Sequence, residues 1–268
     1  MDMSEKVVVI TGASMGIGEA IAKLFADHGA AIVFSSRDQT RAEAARARVA
    51  PQQPSLAVAC DVCDAAQISA LLRATLERFG RVDVWVNNAG FGLIDSIEHM
   101  ERQAYRRMFE TNLFGAIEAM QQVIPVMKRQ KSGCIINISS VAGYIAVPYM
   151  GAYGATKRAL NAISRAARLE LEGSGVSVVN ICPGVVNTSF GDHAVHGAPG
   201  MRISAAFPRG VAPERVAQAV LRAYECDITE TVVPWTNRLA IGLAFLAPFV
   251  VNFAIRRMLK KRAKAAAA

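Results

Sequence analysis

Near the start of the chain, a glycine-rich segment lies between a short apolar run and a pattern typical of an amphipathic helix. The apolar run covers residues 6–10, the glycines are Gly12, Gly16 and Gly18, and the helical pattern continues to Gly29. Glycines let the chain turn tightly and let backbone approach a pyrophosphate, whose charge is stabilised at a helix N-terminus. A plain glycine-rich turn has the same composition, but the position between a first strand and a helix favours a dinucleotide site.

Strand-like and helical segments alternate along the rest of the chain. Seven apolar runs have the length of strands: residues 6–10, 31–35, 56–60, 82–86, 133–138, 176–181 and 230–233. This alternation implies right-handed βαβ crossovers, and therefore a parallel sheet with helices on both faces. At 268 residues, one domain of this class can bury an ample core. The sequence predicts an α/β fold with a single doubly wound parallel sheet of about seven strands.

Ser140, Tyr153 and Lys157 form a second pattern. Tyr153 and Lys157 are four residues apart, so on a helix they share one face. A free phenol has a pKa of about 10, too high for efficient proton transfer near neutral pH, and a neighbouring lysine cation favours the phenolate. We therefore expect Lys157 to lower the pKa of Tyr153, and Ser140 to hold a carbonyl or hydroxyl oxygen against it. The pair alone is weak support, since solvated pairs at this spacing are common.

Further short motifs follow in order along the chain. They are Asp61-Val62 after the third strand, Asn87-Asn88-Ala89-Gly90 after the fourth, then Asn112, and Pro183-Gly184 followed by Thr188. With these motifs, the chain resembles the short-chain dehydrogenase/reductase family from about residue 6 to residue 234. The resemblance implies a Rossmann-like fold with a catalytic domain at residues 1–234, which includes a substrate loop at 184–210. Residues 235–268 then form a C-terminal extension.

The resemblance also implies a catalytic set of four residues, all of which are present. Tyr153 is the general acid/base, and Lys157 lowers its pKa and holds the nicotinamide ribose. Ser140 hydrogen-bonds the substrate oxygen. Asn112 keeps a helix irregular and holds a water that links Lys157 to solvent.

The same resemblance assigns a cofactor site that runs across several motifs. Asp61 and Val62 are placed at the adenine, residues 88–90 along the ribose and pyrophosphate, and Val186 with Thr188 at the nicotinamide amide. The full expected set is Gly12, Ser14, Gly16, Ile17, Gly18, Arg37, Asp61, Val62, Asn88, Ala89, Gly90, Tyr153, Lys157, Pro183, Gly184, Val186 and Thr188.

The end of the second strand indicates which cofactor is bound. Sites that prefer NAD usually carry an acid there, which binds the ribose hydroxyls. Here Ser36 and Arg37 follow the strand, and an arginine can make a bidentate contact to a 2′-phosphate. The sequence therefore predicts NADP(H), although a surface arginine is the alternative and the next residue, Asp38, is an acid.

The expected function is NADPH-dependent interconversion of a carbonyl and an alcohol on an apolar or amphiphilic substrate. The segments expected to form the substrate pocket contain few charges, and their apolar side chains either contact substrate or simply pack together. These side chains are Phe91, Leu93, Ile145, Val147, Met150, Phe190, Met201 and Phe207. The alternative is a non-catalytic NADP(H)-binding regulatory or membrane-associated scaffold protein, which would not need both Tyr153 and Lys157.

The five cysteines indicate neither disulfides nor a metal site. Cys60 and Cys63 have the spacing of a metal-binding pair, but no second pair completes it. Cys134, Cys182 and Cys226 lie in apolar surroundings and are expected in the core. His193 and His196 are interpreted as loop polarity or contacts of a substrate lid, and no metal is expected.

The C-terminal extension combines an apolar run with a basic cluster. Residues 239–255 carry no charge, whereas residues 238–268 hold seven basic and no acidic residues. Because the preceding residues hold 23 basic and 22 acidic residues, the net charge of +8 is concentrated in the extension, and no nucleic-acid partner is expected.

Three interpretations of the extension compete. A helix of 17 residues rises about 26 Å, short of a bilayer core about 30 Å thick, and a true span would also place the catalytic domain away from NADPH. A monotopic anchor would lay apolar helices, broken at Pro248, in the interface, with basic residues from 239–264 near anionic lipid. The third possibility is packing on the pocket mouth or on a partner subunit.

Two further expectations concern assembly and location. By resemblance, a homodimer or homotetramer forms through long helices around residues 101–129 and 153–172. The chain carries no N-terminal signal segment, so we expect a cytoplasmic protein. A monotopic extension would add peripheral contact with the cytoplasmic face of the membrane.

Overall fold

The structure is a computed structural model that describes residues 2–197 and 210–266, with side chains described up to residue 257. Its strands are β1 (Val7–Thr11), β2 (Ala31–Ser36), β3 (Ser55–Ala59), β4 (Val84–Asn87), β5 (Leu93–Ile94), β6 (Gly133–Ile138), β7 (Val176–Pro183), β8 (Val195–His196) and β9 (Glu230–Val233). Seven of them form one parallel sheet in the order β3-β2-β1-β4-β6-β7-β9, and β5 pairs separately with β8. The predicted fold is confirmed, with strand bounds shifted by at most two residues.

Helices cover both faces of this sheet. They are α1 (Gly16–Asp27), α2 (Gln39–Val49), α3 (Ala65–Phe79), α4 (Arg102–Phe109), α5 (Gly115–Gln130), α6 (Gly151–Glu170), α7 (Pro213–Glu225), α8 (Asn237–Leu246) and α9 (Pro248–Ala266). A π-helical segment, Glu110–Phe114, joins α4 to α5, so the long helix predicted around residues 101–129 is interrupted. Helices α1, α2 and α7 pack on one face, and α3, α5 and α6 on the other.

The alternation of side chains along each strand explains the two cores. In β1, Val8 and Ile10 are buried under α1 and α7, whereas Val7 and Val9 are buried on the face of α3 and α5. Successive side chains of a strand point to opposite faces, so a strand covered on both faces is apolar at every position. This is why continuous apolar runs, rather than alternating ones, mark the strands of this chain.

The strand order reverses at β1, and this reversal positions the site. The chain passes from β1 to β2 and β3 on one side, then returns through α3 to β4 on the other side of β1. The loops that follow β1 and β4 therefore diverge and leave a crevice at the carboxyl edge of the sheet. Ligands of open α/β sheets bind at such a switch point.

The C-terminal extension forms two helices with a sharp break between them. Helix α8 and residues 248–257 of α9 are bent by 116° at Ala247. Among the described residues, no single helix is both long and apolar enough to cross a membrane, and this bent pair meets the length and composition requirements only when taken together. The break lies at Pro248, where the sequence predicted it.

The buried carboxylate of Asp83 joins the starts of β1 and β4. It accepts hydrogen bonds from the backbone N–H of Val7 at 3.0 Å and from the guanidinium of Arg81 at 2.6 Å, and only 2% of its side chain is exposed. Removing a buried acceptor leaves its donors without their protein partner, which costs about 1–3 kcal/mol per group.

Asp83→Ala should therefore lower the free energy of unfolding by about 1–3 kcal/mol, measured by urea titration with circular dichroism. Glu77→Ala is the control, because Glu77 lies 3.9 Å from Arg73 with both side chains 70% exposed, and such pairs contribute less than about 1 kcal/mol. Equal effects of the two substitutions would show that Asp83 does not join the strands.

Candidate active site

A cavity of about 900 Å³ lies at the carboxyl edge of the sheet, at the switch point beside β1 and β4. Most residues predicted for the cofactor and the chemistry line it. These are Gly12, Ser14, Gly16, Ile17, Arg37, Val62, Asn88, Ala89, Gly90, Ser140, Tyr153, Lys157, Pro183, Val186 and Thr188. The structure thus brings together, in one cavity, motifs that are separated by up to 176 residues in the sequence.

The glycine-rich turn is held against the segment that follows β4. The hydroxyl of Thr11 accepts hydrogen bonds from the N–H groups of Asn88 and Ala89 at 3.0 and 3.1 Å. The side-chain amide of Asn88 donates to the carbonyls of Thr11 and Gly12 at 2.9 and 3.0 Å. A Cβ atom at Gly18 would lie 2.5 Å from both that amide and the Gly12 carbonyl, so only glycine fits there.

The first turn of α1 faces the cavity with free backbone donors. Gly16 and Ile17 line the cavity, and, within the described part of the chain, no side chain caps the helix at Met15. Uncapped N–H groups at a helix start, together with the helix dipole, favour an anion. This arrangement fits the pyrophosphate of a dinucleotide, as the sequence predicts.

Helix α6 carries Tyr153 and Lys157 on its buried face. The Lys157 ammonium donates to the carbonyl of Ile138 at 2.8 Å and lies 5.8 Å from the centre of the Tyr153 ring. Ser140 follows β6, where its hydroxyl donates to the carbonyl of Pro183 at 3.3 Å and accepts from the N–H of Ala142 at 3.1 Å. These contacts fix the three side chains at the same end of the cavity.

Asn112 lies behind the cavity wall and does not line it. Its side-chain oxygen accepts from the N–H of Phe91 at 3.0 Å, and its amide donates to the carbonyl of Phe91 at 2.9 Å. A Cβ atom at Gly90 would lie 3.0 Å from the Asn112 oxygen and 3.8 Å from the Lys157 nitrogen. Asn112 therefore fixes the loop after β4 next to Lys157, and it lies in the π-helical segment, which agrees with the predicted helix irregularity.

Burial changes the titration of both groups on α6. It raises the pKa of Tyr153 to about 12, and the neighbouring Ser140 hydroxyl offsets only part of the increase. Burial also lowers the pKa of Lys157 to about 8, because the ammonium loses its hydration. The pKa of Tyr153 in the protein alone is thus raised and not lowered, because desolvation of the phenolate is the largest cause, and the expected lowering by Lys157 stays a prediction.

At the opposite end of the cavity, two arginines follow β2. Arg37 and Arg41 both line the cavity together with Ser36. Asp38 also lies there, but its carboxylate accepts from the N–H groups of Thr40 and Arg41 at 2.8 and 3.2 Å and so caps α2. Arg41 was not predicted from the sequence, although a second basic residue soon after β2 was a usable signal.

The substrate end of the cavity is apolar around Tyr153. The Phe190 ring lies 5.7 Å from the Tyr153 ring, and Phe91 lines the cavity. Leu93 and Met150 pack around Tyr153, whereas Met201 and Phe207 lie outside the described residues. Ile145 and Val147 are half-buried in the loop before α6, outside the lining.

Other residues line this cavity without having been assigned to it. His193 lines the cavity, which is compatible with its interpretation as a contact of a substrate lid. Its ring nitrogen lies 2.8 Å from the carbonyl of Ser189. Several further lining residues were not assigned to the site, among them Arg107 and Thr111, which belong to none of the short motifs.

Three residues of the predicted cofactor set lie just outside the lining. Gly18 packs in the turn, Asp61 accepts from the N–H of Cys63 at 3.1 Å, and a Cβ atom at Gly184 would lie against the side chain of Asn237.

The cysteines fall into three groups. Cys134 and Cys182 are buried, as predicted, and Cys60 is a buried residue at the cavity wall. The prediction that Cys226 lies in the core is wrong. This residue is exposed, because α7 ends just before it, and the buried residues of α7 precede it in the helix.

Comparison with known proteins gives a consistent result. The sequence profile described as short chain dehydrogenase matches residues 6–197. An uncharacterised oxidoreductase of Staphylococcus epidermidis is 38% identical over 188 residues, 69% of this chain and 80% of the relative.

Two solved structures have the same fold over most of their length. A short chain dehydrogenase/reductase from Burkholderia phymatum in complex with NAD is 25% identical, with a TM-score of 0.84 over 91% of this chain and 94% of that one. An alcohol dehydrogenase from the archaeon Thermococcus sibiricus complexed with 5-hydroxy-NADP is 31% identical, with a TM-score of 0.74 over 85% and 95%.

The buried charge of Lys157 should lower the free energy of unfolding relative to a chain with an apolar residue at this position. Because the folded pKa of about 8 lies below the usual value for lysine, the unfolded chain holds more protons between that pH and about 10.5. The free energy of unfolding therefore rises with pH across this window, and the cost of the buried charge is fully present below it.

Lys157→Met should raise the free energy of unfolding by about 1–3 kcal/mol at pH 7, and the gain should shrink toward pH 10. Parallel urea titrations at the two pH values measure it. Lys23→Met is the control, because Lys23 is exposed in its pair with Asp27 and should show no such pH-dependent gain. A Lys157→Met protein that is less stable than the unmodified chain at pH 7 would contradict the assigned cost.

Proposed function

This chain belongs to the short-chain dehydrogenase family, and from that premise we propose that it interconverts a carbonyl and an alcohol on an apolar or amphiphilic substrate with NADP(H). The family makes it an oxidoreductase. The proposal for the reaction rests above all on one observation: Ser140, Tyr153 and Lys157 meet at the apolar end of a cavity whose other end carries two arginines.

The residues of the cavity fit a nicotinamide dinucleotide. The glycine-rich turn leaves room for a pyrophosphate at the uncapped start of α1, and Lys157, which lines the same cavity, would hold the nicotinamide ribose. Val186 and Thr188 also line the cavity, with Thr188 next to Gly16, and they would bind the nicotinamide amide. When bound, the cofactor supplies or accepts the hydride.

Tyr153 would move the proton of the reaction. In the direction of reduction, its hydroxyl donates a proton to the substrate oxygen while the carbonyl carbon gains a hydride. The raised pKa of about 12 keeps this hydroxyl protonated at neutral pH, so the acid form is ready before the reaction. Ser140 hydrogen-bonds the same oxygen, and Tyr153 then regains a proton from solvent on the side of Lys157 and Asn112.

The charges at the end of β2 favour the phosphorylated cofactor. Arg37 and Arg41 both line the cavity, and Ser36 stands where an acid would bind ribose hydroxyls. Asp38 is the acid that argues for NAD, but one of its carboxylate oxygens accepts the two hydrogen bonds that cap α2. Two cations next to a 2′-phosphate make charge-assisted hydrogen bonds, whereas NAD offers them no such partner. The two solved structures leave the choice between NAD and NADP open, because one holds NAD and the other holds an NADP derivative.

NADPH should bind at least tenfold more tightly than NADH, a difference of about 1.4 kcal/mol, in a fluorescence titration of the purified protein. Arg37→Ala and Arg41→Ala should each weaken NADPH binding about tenfold and leave NADH binding unchanged. Arg37→Asp should reverse the preference. The matched control is Arg73→Ala, since Arg73 is an exposed residue of α3 away from the cavity, and equal affinity for both cofactors in the unmodified protein would exclude the preference.

Tyr153→Phe should lower kcat by about 10²–10⁴-fold on a panel of apolar ketones while NADPH affinity changes less than threefold, because only the proton donor is lost. Tyr224→Phe, on α7 next to Phe25, is the control and should keep full turnover. Near-normal turnover by Tyr153→Phe would show that another group is the acid. Cofactor binding without any turnover by the unmodified protein would favour the non-catalytic alternative.

The homo-oligomer, the cytoplasmic location and the domain boundary at residue 234 stay predictions from the sequence.

A further inference from the structure

Large apolar side chains of the C-terminal extension are exposed to solvent in one continuous region, which we call the tail surface. It begins just after β9 and covers α8 and the start of α9. Its exposed members are Trp235, Leu239, Phe245, Leu246, Phe249 and Phe253. Leu246 is 89% exposed and Phe249 is 73% exposed, so no part of the described chain covers them. Apolar clusters of this kind on soluble proteins mark interaction sites.

All charged residues that follow the tail surface in the sequence are basic. Six basic residues lie at Arg256, Arg257, Lys260, Lys261, Arg262 and Lys264, and the last acidic residue of the chain is Glu230. The rest of the protein is almost neutral. Each basic residue near an anionic lipid surface contributes about 1 kcal/mol, and an adjoining apolar face adds burial in the interface.

Helix α8 is fixed to the body of the protein, so the tail surface has a defined place. The Phe245 ring packs edge-on against Tyr144 with 6.4 Å between centres, and Arg158 lies 5.9 Å from the Phe245 ring. Arg238 donates to the carbonyl of Glu230 at 3.1 Å. At the start of α8, Asn237 lies against Gly184, the neighbour of the cavity-lining Pro183. The tail surface therefore lies at the carboxyl edge of the sheet, beside the apolar end of the cavity.

The shape and charge favour a lipid surface over the other occupants. The 116° bend between α8 and α9 is unsuited to a straight span but allows both helices to lie along an interface. A second copy of this chain, seated on the tail surface through its own, would bring two basic clusters together without an acidic partner in either extension. Such like-charge contact opposes association, whereas an anionic bilayer neutralises it.

We propose that the tail surface docks this protein on an anionic bilayer, with α8 and the start of α9 in the interface and the carboxyl edge of the sheet turned toward the lipid. The docking goes beyond the proposed oxidoreductase activity and does not require it. If both hold, an amphiphilic substrate could pass from the bilayer to the apolar end of the cavity without crossing bulk water.

Flotation of the full chain with lipid vesicles tests the docking without any measurement of turnover. The protein should float with vesicles of phosphatidylcholine and phosphatidylserine and remain below with phosphatidylcholine alone. Binding should fall at least tenfold in about 0.5 M salt, because screening shortens the range of the electrostatic attraction. Absence of flotation with the anionic vesicles, or equal flotation with both compositions, overturns the proposal.

Substitutions then test whether the tail surface is the part of the protein that binds the vesicles. The double substitution Leu246→Glu with Phe249→Glu should reduce vesicle binding at least tenfold. The control is Ile97→Glu, since Ile97 is 76% exposed but lies outside the extension and outside the helices predicted to pair in an oligomer. Both proteins should keep NADPH affinity, which reports that they are folded.

Light scattering without lipid tests the remaining alternative, in which a second copy of this chain covers the tail surface. If Leu246→Glu with Phe249→Glu splits an oligomer and vesicle binding is unchanged, a second copy covers the tail surface and the lipid proposal is wrong. If the oligomer is unchanged and vesicle binding is lost, the lipid proposal stands.

Discussion

The hydroxyl of Thr11 is the contact on which the geometry of the site depends. It donates to the carbonyl of Val86 at 3.2 Å and accepts from the N–H groups of Asn88 and Ala89, so one side chain joins the end of β1 to the end of β4. The crevice at the switch point exists because the loops that follow β1 and β4 diverge. Thr11 holds the ends of these two strands at a fixed separation. From there the chain of contacts continues through Gly90 and Asn112 to Lys157.

This continuous support permits a costly arrangement at the centre of the site. Lys157 and Tyr153 are both buried, and burial shifts the pKa of each toward its neutral form. A loosely held lysine would turn toward water and recover its hydration. Here the carbonyl of Ile138 receives the ammonium, and α6 is packed along β7. The stability of two apolar cores thus maintains a pair of groups that would be unfavourable by themselves, which is usual for sites selected for chemistry.

The sequence was sufficient for the fold because each strand of a doubly covered sheet is apolar throughout and each break is marked by glycine or a polar cluster. It was also sufficient for the residues of the site that belong to short motifs, such as Gly12 and Tyr153. It failed where the answer depends on distant packing. The pKa of Tyr153 follows from burial, which spacing on a helix does not report, and the exposure of Cys226 follows from where α7 ends. The sequence showed that Asp38 is an acid next to Arg37, but not that its carboxylate caps the start of α2.

The strand order sets the relation between the cationic end of the cavity and the tail surface. Arg37 and Arg41 follow β2, near one margin of the sheet, whereas α8 follows β9, at the other margin. The two ends of the carboxyl edge therefore differ in chemistry: one has fixed cations for a phosphate, and the other has exposed apolar side chains followed in sequence by cations. Tyr153 lies between them, on the helix that follows β6. Under the proposed function, a polar cofactor and an apolar substrate would therefore approach Tyr153 from opposite ends of one edge, and neither would cross the binding region of the other.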